Sequence, residues 1–66
     1  MKITINGQPK ELTGQTNLKE ITTQFAKNHS GVIVEVNGTV IKNPLWSSTT
    51  IKEGDTIELV SLVGGG

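Results

Sequence analysis

Val32-Ile33-Val34-Glu35-Val36-Asn37-Gly38-Thr39-Val40-Ile41 decides the fold. Its first five residues are the most β-branched run in the chain, which suits a pleated, packed strand. Asn37-Gly38 follows at once, and both residues tolerate positive φ, as a two-residue hairpin turn requires. Val40-Ile41 then supplies the return strand. The stretch predicts an antiparallel hairpin whose first arm is a central strand.

Toward the C-terminus, positions 43–50 hold Pro44 and the Ser47-Ser48-Thr49-Thr50 cluster, which reads as loop or a short 3₁₀ turn. Glu53-Gly54-Asp55 is a further turn. Positions 56–62 form the last strand, and Gly64-Gly65-Gly66 closes the sequence. Toward the N-terminus, Gly31 is a natural helix stop. Thr16 or Asn17 serves as a helix cap, and Glu20 stands three residues after Asn17 in the arrangement of a capping box. Leu18, Ile21 and Phe25, with Ala26 beside them, give about three turns one apolar face. Lys27 and His29 fall near the helix end, where positive charge suits the dipole. Before the helix, Lys2-Ile3-Thr4-Ile5-Asn6 alternates polar and apolar with the period of a half-buried strand. Asn6-Gly7 is a second hairpin turn, and Pro9 marks the return strand through Lys10-Glu11-Leu12 as an edge.

The order is strand, strand, helix, strand, strand, strand. Packing the helix on the sheet buries both apolar surfaces, so the fold class is α+β. Parallel pairing of the first and last strands at the centre would close a β-grasp, a mixed sheet of four to five strands on one helix. That pairing is a topological expectation, since periodicity does not specify it.

Composition narrows the function. Sixty-six residues make one domain, expected to span 1–63 with a flexible glycine tail at 64–66. A chain this short buries a modest share of its surface. It has one Phe, one Trp and no Tyr, so aliphatic side chains must fill the core. Six lysines balance six acidic residues, and they stand one at a time along the chain. Nucleic-acid binders carry a basic stripe instead. With no cysteine there is no disulfide framework, thiolate nucleophile or thiolate metal site. No apolar run approaches the ~20 residues of a membrane span, and no signal-peptide core opens the chain, so a cytoplasmic location is expected.

Catalytic constellations are scarce. The one histidine, His29, reads as an exposed residue near a helix end, and no Gly-Lys pair is present to build a phosphate loop. Glu53 and Asp55 flank a turn glycine, where acidic residues usually face solvent. Trp46 reads as packing at the core edge, its indole N–H reaching water or a carbonyl. The three terminal glycines have no side chains to pack and cannot stabilise a strand. Extended, they reach about 10 Å beyond the sheet. Such a tail can thread a carboxylate through a channel closed to any residue with a Cβ. The alternation of Ile57 and Leu59 toward the core places Val60 and Leu62 on the opposite side, beside the tail. Exposed apolar residues there suggest a partner surface.

These pieces together resemble the thiamine-biosynthesis sulfur carriers, members of the ubiquitin-like β-grasp family. The resemblance spans essentially the whole chain. It is carried by Ile3-Thr4-Ile5-Asn6-Gly7, Val36-Asn37-Gly38 with Val40-Ile41, Pro44 with Trp46, Glu53-Gly54-Asp55, Ile57-Glu58-Leu59-Val60 and Val63-Gly64-Gly65-Gly66. Many relatives end in two glycines and this chain has three. The resemblance implies a protein cosubstrate with no active site of its own. The Gly66 carboxylate would be the reacting group, Gly64 and Gly65 its tail, and Val60, Leu62 and Val63 partner contacts. An E1-like adenylyltransferase would spend its own ATP and magnesium to form an acyl-adenylate on Gly66. Sulfur from a cysteine desulfurase would displace AMP to leave a thiocarboxylate, and thiazole synthase would accept that sulfur. No cofactor is expected on the chain itself. The small subunit of molybdopterin synthase, which shares fold and thiocarboxylate, is the nearest alternative. A ubiquitin-like interaction module or modifier is the alternative from another class.

Overall fold

The computed structural model describes residues 1–26 and 31–61. Strands β1 (Lys2–Ile5) and β2 (Gln8–Glu11) form the first hairpin, β4 (Val32–Val36) and β5 (Thr39–Val40) the second, and α1 (Leu18–Phe25) lies between them. Two short strands, β3 (Thr16–Asn17) and β6 (Thr50–Ile51), pair antiparallel as a separate ribbon. A 3₁₀ turn covers Asn43–Ser48, and β7 (Thr56–Ser61) completes the main sheet. The five-stranded order is β2-β1-β7-β4-β5. β1 and β7 run parallel, with Thr4 opposite Thr56 and Ile5 opposite Ile57, so the expected β-grasp topology is present.

Both Asn-Gly turns take the predicted geometry. Asn6 and Asn37 have φ of 50° and 53°, and Gly7 and Gly38 have 81° and 87°. Ile3, Ile5, Val34 and Ile57 bring their side chains to one face of the sheet, where Leu18 and Ile21 of α1 meet them with Trp46 and Ile51. Trp46 is only 4% exposed and donates its indole N–H to the Ile41 carbonyl at 2.8 Å. The Ile41 N–H donates to the Val34 carbonyl at 2.9 Å, so backbone bonding to β4 reaches Ile41, and Pro44 follows in the 3₁₀ turn. The regular return strand covers Thr39–Val40, and Ile41 extends the pairing by this one bond.

Two expectations need correction. The helix has eight residues rather than about three turns. Thr22 and Thr23 both turn their hydroxyls onto the Lys19 carbonyl, at 2.8 and 2.9 Å, a competition that weakens helical backbone bonding. Ala26 is already extended, with φ −83° and ψ 130°, so Gly31 does not end the helix despite its positive φ. Lys27 and His29 lie outside the described residues. Phe25, at the last helical position, is only partly buried; Lys10 of the edge strand stands 5.7 Å from its ring centroid. β4 is an interior strand, as expected, flanked by β7 and β5.

The helix start is as read, with one difference. Asn17 caps α1 by accepting from the Glu20 N–H at 2.9 Å. The Glu20 carboxylate accepts from the Thr16 hydroxyl at 3.5 Å and makes no return bond to the Asn17 N–H, so only half of the capping box forms.

Candidate functional site

The glycine tail follows β7, and β7 is the most firmly held strand of the sheet. It pairs antiparallel with β4 along five registered positions, from Val36 opposite Ile57 to Val32 opposite Ser61. On its other side β1 turns away after Ile5, and the Asn6 side chain continues the ladder in its place. Asn6 Oδ1 accepts from the Leu59 N–H at 2.7 Å, and Asn6 Nδ2 donates to the Leu59 carbonyl at 3.2 Å. At the other end of β7, Asn37 Oδ1 accepts from the Thr56 N–H at 2.9 Å. The two turn asparagines thus clamp the strand that leads to the tail.

Asp55 works with them. It is 9% exposed and accepts from Asn37 Nδ2 at 3.0 Å and from the Lys52 N–H at 2.8 Å. The expectation of a solvent-facing turn carboxylate therefore fails for Asp55. A buried carboxylate is retained where fixed donors meet its oxygens. Glu53 is exposed and accepts from the Lys2 N–H at 3.0 Å, tying the turn to β1. Sequence reading took Asn6 and Asn37 as turn formers only. Each directly follows a strand that neighbours β7, and that neighbourhood is a property of the fold.

Along β7 the alternation is as expected. Ile57 is buried, Leu59 packs against the core, and Val60 is 47% exposed on the opposite face. Val60 lies directly across from Ile33, at the end of the sheet from which the tail departs. Val40, also exposed, lies across from Glu35 on that same face. Leu62, Val63, Gly64, Gly65 and Gly66 lie outside the described residues. Among the described residues no three His, Cys, Asp or Glu side chains gather as metal ligands. No described helix is long and apolar enough to cross a membrane.

Known proteins match this arrangement over nearly its full length. The model of the ThiS family matches residues 3–66. A thiamine biosynthesis protein (ThiS) from Geobacter metallireducens superposes with a TM-score of 0.86 at 33% identity, covering all of both chains. The sulfur carrier protein ThiS of Thermus thermophilus is 32% identical over 62 residues, 94% of this chain and 95% of that protein. A thiazole synthase of Magnetococcus marinus is 32% identical over all 66 residues, which make up 20% of its length. A small domain with a clamped central strand leading to a glycine tail, matched from end to end by these carriers, belongs to the ThiS family of sulfur carriers in thiamine biosynthesis and is not itself a catalyst.

Proposed function

We propose that the Gly66 carboxylate is the sulfur-bearing group and that the chain acts as a cosubstrate of partner enzymes. The family match running through Gly66 carries this reading. A carboxylate repels a sulfur nucleophile, so it must first be activated. On this proposal a carboxylate oxygen attacks the α-phosphorus of ATP in an E1-like adenylyltransferase, magnesium aids the departure of pyrophosphate, and an acyl-adenylate forms. The terminal sulfur of a persulfide, formed on a desulfurase as cysteine is converted to alanine, then attacks the acyl carbon, AMP leaves with the bonding pair, and a thiol reductant cleaves the S–S bond of the resulting acyl disulfide. The product is a thiocarboxylate.

Residues 1–63 serve as the folded grip and residues 64–66 as the tail that enters the partner. Lacking side chains, Gly64 and Gly65 pass through a channel that would exclude a Cβ. Val60, Leu62 and Val63 supply apolar contact at the root of the tail. The acceptor of the sulfur is thiazole synthase. A thiazole synthase that contains a segment similar to this entire chain supports that choice, because two activities that work together gain from being held together. The cytoplasm, where ATP is available, is the compartment in which these steps fit.

Incubation with ATP, magnesium, cysteine, a thiol reductant, desulfurase and adenylyltransferase, followed by intact mass measurement, tests the proposal. The expected result is one oxygen replaced by one sulfur, at Gly66, only when ATP is present. An adenylyltransferase that loads its own carrier but leaves this chain's mass unchanged would overturn it.

A further inference from the structure

The two Asn-Gly turns share a dipeptide and differ in what faces them. In any chain such a pair is a chemical weak point, because a glycine has no Cβ to crowd its backbone nitrogen as that nitrogen attacks the asparagine Cγ. The Asn6 side chain bonds the backbone N–H and carbonyl of Leu59. Asn37 is half-buried and meets a charge instead. Its Nδ2 donates to Oδ1 of Asp55 at 3.0 Å, and its Oδ1 accepts from the Thr56 N–H at 2.9 Å. Asp55 is 9% exposed, and its other oxygen accepts from the Lys52 N–H at 2.8 Å. Among the described residues no cation forms an ion pair with this carboxylate, so neutral donors hold its charge. On its outer side the turn is open to water: a Cβ built on Gly38 would meet nothing within 4 Å.

We propose that Asn37 is a deamidation site whose reaction Asp55 restrains and whose product Asp55 then expels. The Gly38 nitrogen bonds to Cγ of Asn37, and the side-chain nitrogen leaves as ammonia, taking the proton that Gly38 gives up. Water then opens the succinimide ring at one carbonyl or the other. The products are aspartate and isoaspartate, each with a new carboxylate at position 37, and no redox partner is needed. Ring closure requires Asn37 to release Asp55. That charge-assisted bond is stronger than the neutral ones Asn6 makes, so in the native fold Asn37 is the slower of the two to react. Once formed, the carboxylate faces Asp55 with no donor between them, and like charge keeps it from docking again. Asn6 differs here too: an aspartate there still accepts from the Leu59 N–H and bonds no carboxylate. Conversion at Asn37 therefore loosens the start of β7, and conversion at Asn6 costs one hydrogen bond.

The test incubates the full chain in mildly alkaline buffer and reads each turn by peptide mapping with mass spectrometry, beside thermal melts. In denaturant the two asparagines should convert at similar rates, and in the native fold Asn37 should lag. Asp55→Asn should speed conversion at Asn37 about tenfold, the size expected for the loss of one charge-assisted bond. Conversion at Asn6 should not change, which separates this effect from general unfolding. Asn37→Asp stands in for the product and should lower the thermal midpoint by about 5–10 °C. Adding Asp55→Asn to that variant restores a donor between the two side chains and should recover most of the loss. A parental rate at Asn37 in Asp55→Asn, or a double variant that melts as low as Asn37→Asp, overturns the inference. Neither readout involves sulfur, so the carrier reading stands or falls by its own result.

Discussion

The two faces of the five-stranded sheet obey different rules. The face toward α1 holds Ile3, Ile5, Val34 and Ile57, all buried, and each local choice there serves folding. The opposite face leaves Val60 and Val40 47% and 53% exposed and sets Glu35 against Glu58. Ile33, half-buried and paired with Val60, contributes on that side, where none of these residues is fully buried. Local rules are consistent where a sequence specifies structure and are broken where it serves something else. The comparison therefore separates residues kept for stability from residues kept for contact.

Substitutions should divide along the same line. Trp46→Ala should have the largest effect on folding, about 3–5 kcal/mol, because it empties a core position and strips the Ile41 carbonyl of its donor. In a domain of this size that is a large part of the total stability. Chemical denaturation would detect it, and an unchanged midpoint would show that the 3₁₀ turn does not anchor the core. Phe25→Ala should cost less, about 1–2 kcal/mol, since the ring is only partly buried beneath Lys10. A loss equal to that of Trp46→Ala would place the helix end deeper in the core than its exposure indicates. Val60→Asp belongs to the other face. Its stability should stay within about 0.5 kcal/mol of the parent, apart from any repulsion with nearby Glu58, while affinity for thiazole synthase falls at least tenfold. Strong unfolding with binding retained would erase the distinction between the faces.

Much of this was legible in the sequence, for identifiable reasons. Asn6-Gly7 and Asn37-Gly38 demand positive φ and allow few alternatives, so both hairpins followed directly. The alternation in β7 placed Ile57 and Val60 on opposite faces. Parallel pairing of β1 with β7 came from topology, and it holds. The ribbon of β3 and β6 escaped notice because two-residue strands carry no periodicity. Helix length was overestimated because apolar spacing does not report where threonine hydroxyls turn back on the backbone. Asp55 looked like an exposed turn residue, and its burial depends on a partner, Asn37, eighteen positions away. The opposition of Glu35 and Glu58 is a property of register, which neither strand's own sequence contains. As for the proposed site, Val60 was readable from alternation, whereas the clamps on β7 required the fold.

The tail carries the central claim, and it should contribute almost nothing to folding. Adding one alanine after Gly66 moves the carboxylate by about 3.5 Å and places a methyl group where the proposed channel admits only hydrogen. A displacement of about 1 Å at a reacting centre can already cost a hundredfold in rate. The decisive measurement is intact mass after ATP-dependent loading, run on the parent, the alanine-extended chain and a chain lacking Gly65 and Gly66, with thermal melts of the same samples. Sulfur acquired by the parent alone, with three matching melting curves, is the predicted result. Sulfur gained by the extended chain as fast as by the parent would contradict the assignment of Gly66 as the reacting end.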